Sequence, residues 1–172
     1  MLIRKLRWED FNSLKELHYS AYSELRTNPN YGDYVFLNKP PLKDMMDRFV
    51  KRYKLMLEGN AIRYVAEENG KLIGFCFVEK KEVPDSEISH IGKLTMRVAI
   101  EWRNKRIGTM LLKTTIKDAK GKFEIIEACV LTNNLIAKRL YRKFGFKRWG
   151  IAPRYIKRGK HYINREYMSL RL

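Results

Sequence analysis

Asn69-Gly70 stands between two apolar runs, residues 62–66 and 71–78. Both residues tolerate positive φ, and the tight turns that join antiparallel strands demand it at their two central positions. A β-hairpin over 62–78 follows, and the rest of the chain has to extend or cover a sheet that contains it. Before the hairpin the apolar period is helical. Phe11, Leu14, Leu17, Ala21 and Leu25 mark one helix, opened by Trp8-Glu9-Asp10; Leu42, Met45, Met46, Phe49, Tyr53 and Met56 mark a second over about 42–57, and that periodicity reads as a core-facing side. Residues 2–6 can form a short strand, and Asn28-Pro29-Asn30-Tyr31-Gly32-Asp33 is a break between the helices.

After the hairpin comes a charged segment, 79–87, and then a long strand over 90–98. It leads into a helix beginning near Arg106, with Ile107, Met110, Leu111 and Thr114 on one side and an end near Lys120-Gly121. A strand over 125–131 precedes a short helix over 135–143, which Asn134 can cap and Gly145 can close. Strands over 146–151 and 162–170 finish the chain, joined by a basic turn around Lys157-Arg158-Gly159-Lys160. With 172 residues, 45% of them hydrophobic, the expectation is a single domain over 1–172. Its class is α/β (α+β), a mixed, mostly antiparallel sheet of about seven strands flanked by about four helices.

The charge narrows the partners. The chain carries 36 Lys and Arg against 19 Asp and Glu, and 138–165 holds eleven basic residues and no acidic one. Such a surface attracts polyanions without specificity, so a basic nucleic-acid-binding module is the competing reading. Against it, Tyr155, Tyr162 and Tyr167 fit strand spacing rather than an RNA motif. Cys76 and Cys129 lie far apart in apolar runs and read as buried core thiols; no cysteine–histidine grouping suggests a metal site. Charges interrupt the N-terminal apolar residues, and no apolar stretch is long enough to span a bilayer, so a cytoplasmic protein without a membrane partner is expected.

Two segments carry chemistry. In 94–112 a strand, a basic loop and a helix follow one another, with Arg103-Asn104-Lys105-Arg106-Ile107-Gly108 at the helix start. A helix N-terminus presents unpaired N–H groups and the positive end of the dipole, which suits an anion. Gly108, lacking a side chain, lets the backbone approach a phosphate. In 134–146 Asn134 and Tyr141 lie seven residues apart, two helical turns, so both can face one groove with small Ala137 between them. Either segment alone has an ordinary structural reading.

Together, in this order, the two segments resemble the GNAT acetyltransferase superfamily. The first signature, Gln/Arg-x-x-Gly-x-Gly/Ala, is matched by Arg103 to Gly108 except that Arg106 occupies the first glycine position. The second, Asn-x-x-Ala-x-x-Leu-Tyr-x-x-x-Gly-Phe, is matched at every specified position from Asn134 to Phe146. The resemblance implies transfer of an acetyl group from acetyl-CoA directly to an amine, with no metal. It implies that the backbone of Met96, Arg97 and Val98 pairs with the pantetheine arm. The N–H groups of Arg103, Asn104, Lys105, Arg106, Ile107, Gly108 and Thr109 would hold the pyrophosphate, and Asn134 the arm. Lys143 or Arg142 would meet the 3′-phosphate. Tyr141 would protonate the departing thiolate, and the Val98 N–H would stabilise the oxyanion. The position from which some relatives supply a glutamate base is Cys129 here, leaving Glu127, His90 and, behind them, Glu87 as candidates. Acceptor choice would fall to the first two helices, the loop over 28–41 with Tyr31, Tyr34 and Phe36, and the turn over 153–161. The acceptor itself, and whether the chain is a monomer or a homodimer, stay open.

Overall fold

A computed structural model describes residues 1–27, 38–81 and 87–172. The break at Asn28–Asp33, the aromatic residues Tyr31, Tyr34 and Phe36, and the middle of the charged 79–87 segment lie outside the described residues. The elements in chain order are β1 (Leu2–Lys5), α1 (Phe11–Thr27), α2 (Leu42–Leu57), β2 (Ala61–Glu68), β3 (Lys71–Lys80), β4 (Ile91–Val98), α3 (Ile107–Ala119), β5 (Ile125–Leu131), α4 (Leu135–Lys143), β6 (Lys147–Arg158) and β7 (His161–Arg171). The strands form one seven-stranded sheet in the order β1-β2-β3-β4-β5-β7-β6. Every pairing is antiparallel except β4 with β5.

Alternation along the strands sends successive side chains to opposite faces. Val65, Phe75 and Phe77 pack with Leu14 and Leu17 of α1 and Phe49 of α2. Ala66, Cys76, Val78, Leu94, Ala128 and Val130 pack on the other face with Ile107, Leu111 and Leu112 of α3 and Tyr141 of α4. The sheet thus separates two helical layers, α1 and α2 on one side, α3 and α4 on the other. Arg4 fixes the entry to α1: its guanidinium donates to both oxygens of Asp10 at 2.7 Å, and Asp10 also accepts from the Arg7 N–H at 2.7 Å.

Several expectations change in the structure. β6 runs to Arg158 rather than ending at Ile151. Pro153 has no N–H for the ladder, and the strand absorbs it in a register shift between Ala152 and Ile156, with Arg154 at φ 51°. The Asn164 side-chain oxygen accepts from the Arg154 N–H at 2.8 Å and holds the bulge. β3 likewise continues through Glu79 and Lys80, because β4 pairs with both. On α2 only Phe49 is buried, while Leu42 and Met46 are exposed, since the helix covers one rim of the sheet. Cys76 is a buried core thiol, but Cys129 is only half-buried.

The pairing of β4 with β5 is short: Ile91 with Ile125, Gly92 with Ile126 and Lys93 with Glu127. Beyond it β4 stays paired to β3 as far as Val98, and β5 to β7 as far as Leu131. The facing edges therefore diverge into a fork. Gly92 sits at its closed end, where a Cβ would lie 2.5 Å from Val78 Cγ1 and 3.1 Å from Phe123. Gly92→Ala is expected to lower unfolding stability in urea by about 1–3 kcal/mol through overpacking, with Gly150→Ala, where nothing lies within 4 Å, as the unaffected comparison.

Candidate active site

The fork opens into a cavity of about 770 Å³ whose lining comes from β2, β3, β4, β5, β7 and α1 to α4. Backbone direction decides what β4 contributes. The Ala99 N–H donates to Ile73 O at 2.9 Å, so the edge carrying Ala99 points to β3. Backbone groups alternate between edges in antiparallel pairs, which turns those of Arg97 and Thr95 to β3 and those of Met96 and Val98 into the fork. Met96 and Val98 thus offer backbone groups to a ligand, whereas Arg97 does not.

Arg97 instead extends its side chain over the α1 face to Glu24, 3.0 Å away. Arg103 reaches the same carboxylate, with Nη2 at 2.7 Å from Oε2 and Nη1 paired with Oε1, and its Nε donates to Val98 O at 3.1 Å. Buried Glu24 thereby ties α1 to the end of β4 and to the loop before α3. The sequence did not single it out, because nothing in the local pattern of α1 marks Glu24 as different from a surface residue.

The loop ahead of α3 is built for an anion. Asn104 and Arg106 both adopt φ 62°, a left-handed conformation that glycine accepts without strain and other residues do not. This explains physically why a glycine is the expected residue where Arg106 stands. Arg106 makes no side-chain cap, and the first α3 bond is Met110 N–H to Arg106 O at 3.1 Å. The N–H groups of Ile107, Gly108 and Thr109 therefore lack intrahelical acceptors, and all three residues line the cavity. Arg103 N–H is already used by Ile100 O, and Lys105 lies outside the lining with its ammonium 4.4 Å over the Trp102 ring. A Cβ on Gly108 would meet Leu140 Cδ2 and Met96 Cε at 3.4 Å, so the glycine keeps the groove between α3 and α4 clear.

The α4 wall follows the Asn134–Tyr141 spacing. Asn134 Oδ1 accepts from the Ala137 N–H at 3.1 Å and caps the helix. Asn134, Ala137, Leu140, Tyr141 and Lys143 all line the cavity. Tyr141 is buried and tilted against Phe146, ring centroids 5.3 Å apart. Of the two cations considered for a 3′-phosphate, Lys143 is at the cavity; Arg142 turns toward buried Glu166, 3.6 Å away, which Lys138 also contacts at 2.9 Å.

The candidate bases fare differently. Glu127 sits at the closed end of the fork, ion-paired with Lys81 at 2.7 Å, and does not line the cavity. His90 lies at the opposite end of β4 beside Gly121 and Leu172, and Glu87 is exposed in a turn. Cys129 does line the cavity. The sequence reading missed His18 of α1, which faces the cavity with its ring 5.0 Å from Phe75. Burial, with Arg52, Arg97 and Arg63 nearby, pushes its pKa down to about 4. No group of three or more His, Cys, Asp or Glu suited to a metal occurs among the described residues.

A family model described as "Acetyltransferase (GNAT) family" matches residues 5–146. An L-amino acid N-acetyltransferase of Escherichia coli (strain K12) is 21% identical, over 98% of this chain and 96% of its own. Among solved structures, a ribosomal-protein-alanine N-acetyltransferase from Brucella melitensis superposes with a TM-score of 0.83 at 21% identity, covering 100% of both chains. A phosphinothricin acetyltransferase from Sinorhizobium meliloti, in complex with acetyl-CoA, superposes with a TM-score of 0.81 at 19% identity, covering 99% of this chain and 88% of its own. At these identities the structural likeness concerns the fold.

His18 has a pKa lower in the folded than in the unfolded chain, so the unfolded chain binds the extra proton first. Its contribution is full above about pH 6.5 and is lost as pH falls toward about 4. His18→Gln is expected to flatten the loss of thermal stability between those two pH values; an unchanged slope would show that His18 stays solvated.

Proposed function

The chain belongs to the GNAT acetyltransferase family, and from that premise we propose how its own residues carry out acetyl transfer from acetyl-CoA to a primary amine. The observation that carries the reading is the fork: backbone groups of Met96 and Val98 and the first turn of α3 converge on one cavity with Asn134 and Tyr141. The residues present fit the cosubstrate. An extended amide-bearing arm matches the open β4 edge, a pyrophosphate matches the N–H groups of Ile107, Gly108 and Thr109 with Arg106 beside them, and Lys143 suits a further phosphate.

Acetyl-CoA supplies the acetyl group as a thioester. The Val98 N–H points into the fork and can donate to the carbonyl oxygen as negative charge gathers there. Tyr141, a phenol of reference pKa about 10, is protonated at neutral pH and holds a proton for the departing sulfur. The amine must arrive without its extra proton. The lining around His18 is partly desolvated and cationic, and the burial and neighbouring arginines that hold His18 neutral would also lower the pKa of a bound ammonium. That proton can leave to water through the open cavity, so neither Glu127 nor His90 is needed as a base. Glu24 acts as a positioning residue, holding Arg103 against Val98 O. Two free cysteines suit a reducing compartment, and a cytoplasmic location is the reading they support; no described helix is long and apolar enough to cross a membrane.

Acetyl-CoA or CoA is expected to raise the melting temperature by mass action. Gly108→Trp, which fills the groove between α3 and α4, is expected to abolish the shift while the free protein stays folded. In Lys143→Ala the difference between CoA and dephospho-CoA is expected to disappear. No shift at millimolar CoA would remove the basis of the reading.

Tyr141→Phe keeps the ring against Phe146 and removes the hydroxyl. General-acid catalysis is worth about 10²–10⁴-fold, so turnover is expected to fall within that range while CoA affinity holds. Wild-type turnover, measured where chemistry limits the rate, would reduce Tyr141 to a packing residue.

A further inference from the structure

β6 ends the sheet, and the β6–β7 hairpin carries a pattern of side chains that acetyl transfer leaves unused. Its aromatic residues fit strand spacing, and a strand of a packed sheet buries alternate side chains. Here Trp149 is 59% exposed, and Tyr155 and Tyr162 are each 42% exposed. One exposed ring needs no explanation, whereas several grouped on one hairpin mark a contact surface. None of the three lines the cavity.

Each ring is held by a neighbour. Trp149 tilts against Tyr167, ring centroids 5.2 Å apart. The Arg165 guanidinium lies 3.9 Å over the Tyr155 ring, and that of Arg154 lies 4.0 Å over Tyr162. The bulge at Pro153 contributes to this, because bulges re-aim side chains and Asn164 pins the Arg154 backbone. Rings fixed in advance lose little freedom when a flat partner stacks on them.

Cations are interleaved with the rings. Lys147, Arg148, Arg154, Lys157 and Lys160 are all exposed. From Ala128 to Leu172 the sequence has one carboxylate side chain, Glu166, and it is buried and paired with Lys138 at 2.9 Å. An acidic polypeptide would use the cations and leave the rings idle, and a duplex keeps its bases stacked inside. A single strand presents phosphates together with unstacked bases, and ring stacking accepts every base without a sequence motif. From Trp149 to Lys157 the strand spans roughly 25 Å, room for about four nucleotides.

We propose that the β6–β7 hairpin binds single-stranded nucleic acid, with bases stacked on Trp149, Tyr155 and Tyr162 and phosphates running past the interleaved cations. This surface adds to acetyl transfer and does not replace it.

The test measures binding of the full chain to a fluorescent oligouridylate by anisotropy. Oligodeoxythymidylate, a duplex of equal length and polyglutamate are the comparisons. Both single strands are expected to bind more tightly than duplex or polyglutamate at the same salt, and their order identifies which sugar is preferred. Trp149→Ala, Tyr155→Ala and Tyr162→Ala are each expected to weaken the single strand about 5- to 100-fold while the salt dependence holds. Lys147→Gln combined with Arg148→Gln is expected to flatten the salt dependence instead. Leu57→Ala, which removes an exposed apolar side chain of α2, is expected to bind like the wild type. Trp149 stands largely in water, so its variant is expected to keep the fold, which an unchanged melting temperature checks. Wild-type affinity in all three ring variants, or polyglutamate bound as tightly as the oligouridylate, would overturn the proposal. So would a preference for the duplex, or no binding of either single strand at low salt.

Discussion

Buried backbone amides and carbonyls need partners, and a sheet supplies them by pairing each strand edge with the next. Among the described residues, the pairing gives way in the middle of the sheet. β4 and β5 pair at Ile91, Gly92 and Lys93 and then part, although each remains paired on its other edge. The fork leaves the backbone groups of Met96 and Val98 facing a cavity rather than a strand. A ligand that presents amide groups in an extended arm is the natural complement, and the rest of the site is arranged around that line. The start of α3 lies at one end, Asn134 and Tyr141 form a wall, and α1 and α2 approach from the other face.

Keeping such a fork open requires support from outside the sheet. Gly92 allows Val78 and Phe123 to close over the paired end. Glu24 gathers Arg97 and Arg103, which holds α1, the end of β4 and the loop before α3 in one unit. Removing one partner from a buried ion cluster of this kind typically costs about 3–5 kcal/mol because the remaining charges lose compensation. Glu166 does the same for α4, drawing in Lys138 and Arg142 and leaving Lys143 for the cavity. Part of the large positive charge is therefore structural.

Local signals made much of this legible in the sequence. Asn69-Gly70, the apolar period of the strands, the Asn134 cap and the basic loop before Ile107 each act within a few residues, and the corresponding elements are present in the structure. Long-range partnerships were not legible. Glu127 was a reasonable base on strand alternation, but its distance from the open part of the fork depends on where β4 and β5 separate, and Lys81 across the sheet captures it. His90 begins the correct strand at the wrong end. His18 and Glu24 look like ordinary helix residues until α1 is laid over β3 and β4. Arg106 is the instructive case in the other direction: its departure from glycine was visible in the sequence, and the left-handed φ that makes it a departure became visible only in the fold.

Residue-resolved amide hydrogen exchange with and without saturating CoA tests the fork most directly, because it reads the backbone groups on which the site depends. Slowed exchange is predicted at Met96 and Val98 on β4 and at Ile107, Gly108 and Thr109 at the start of α3, with the β6–β7 hairpin unchanged. Protection confined to the basic β6–β7 hairpin, with exchange at Met96 and Val98 unaltered, would contradict the assignment of the fork as the cosubstrate site.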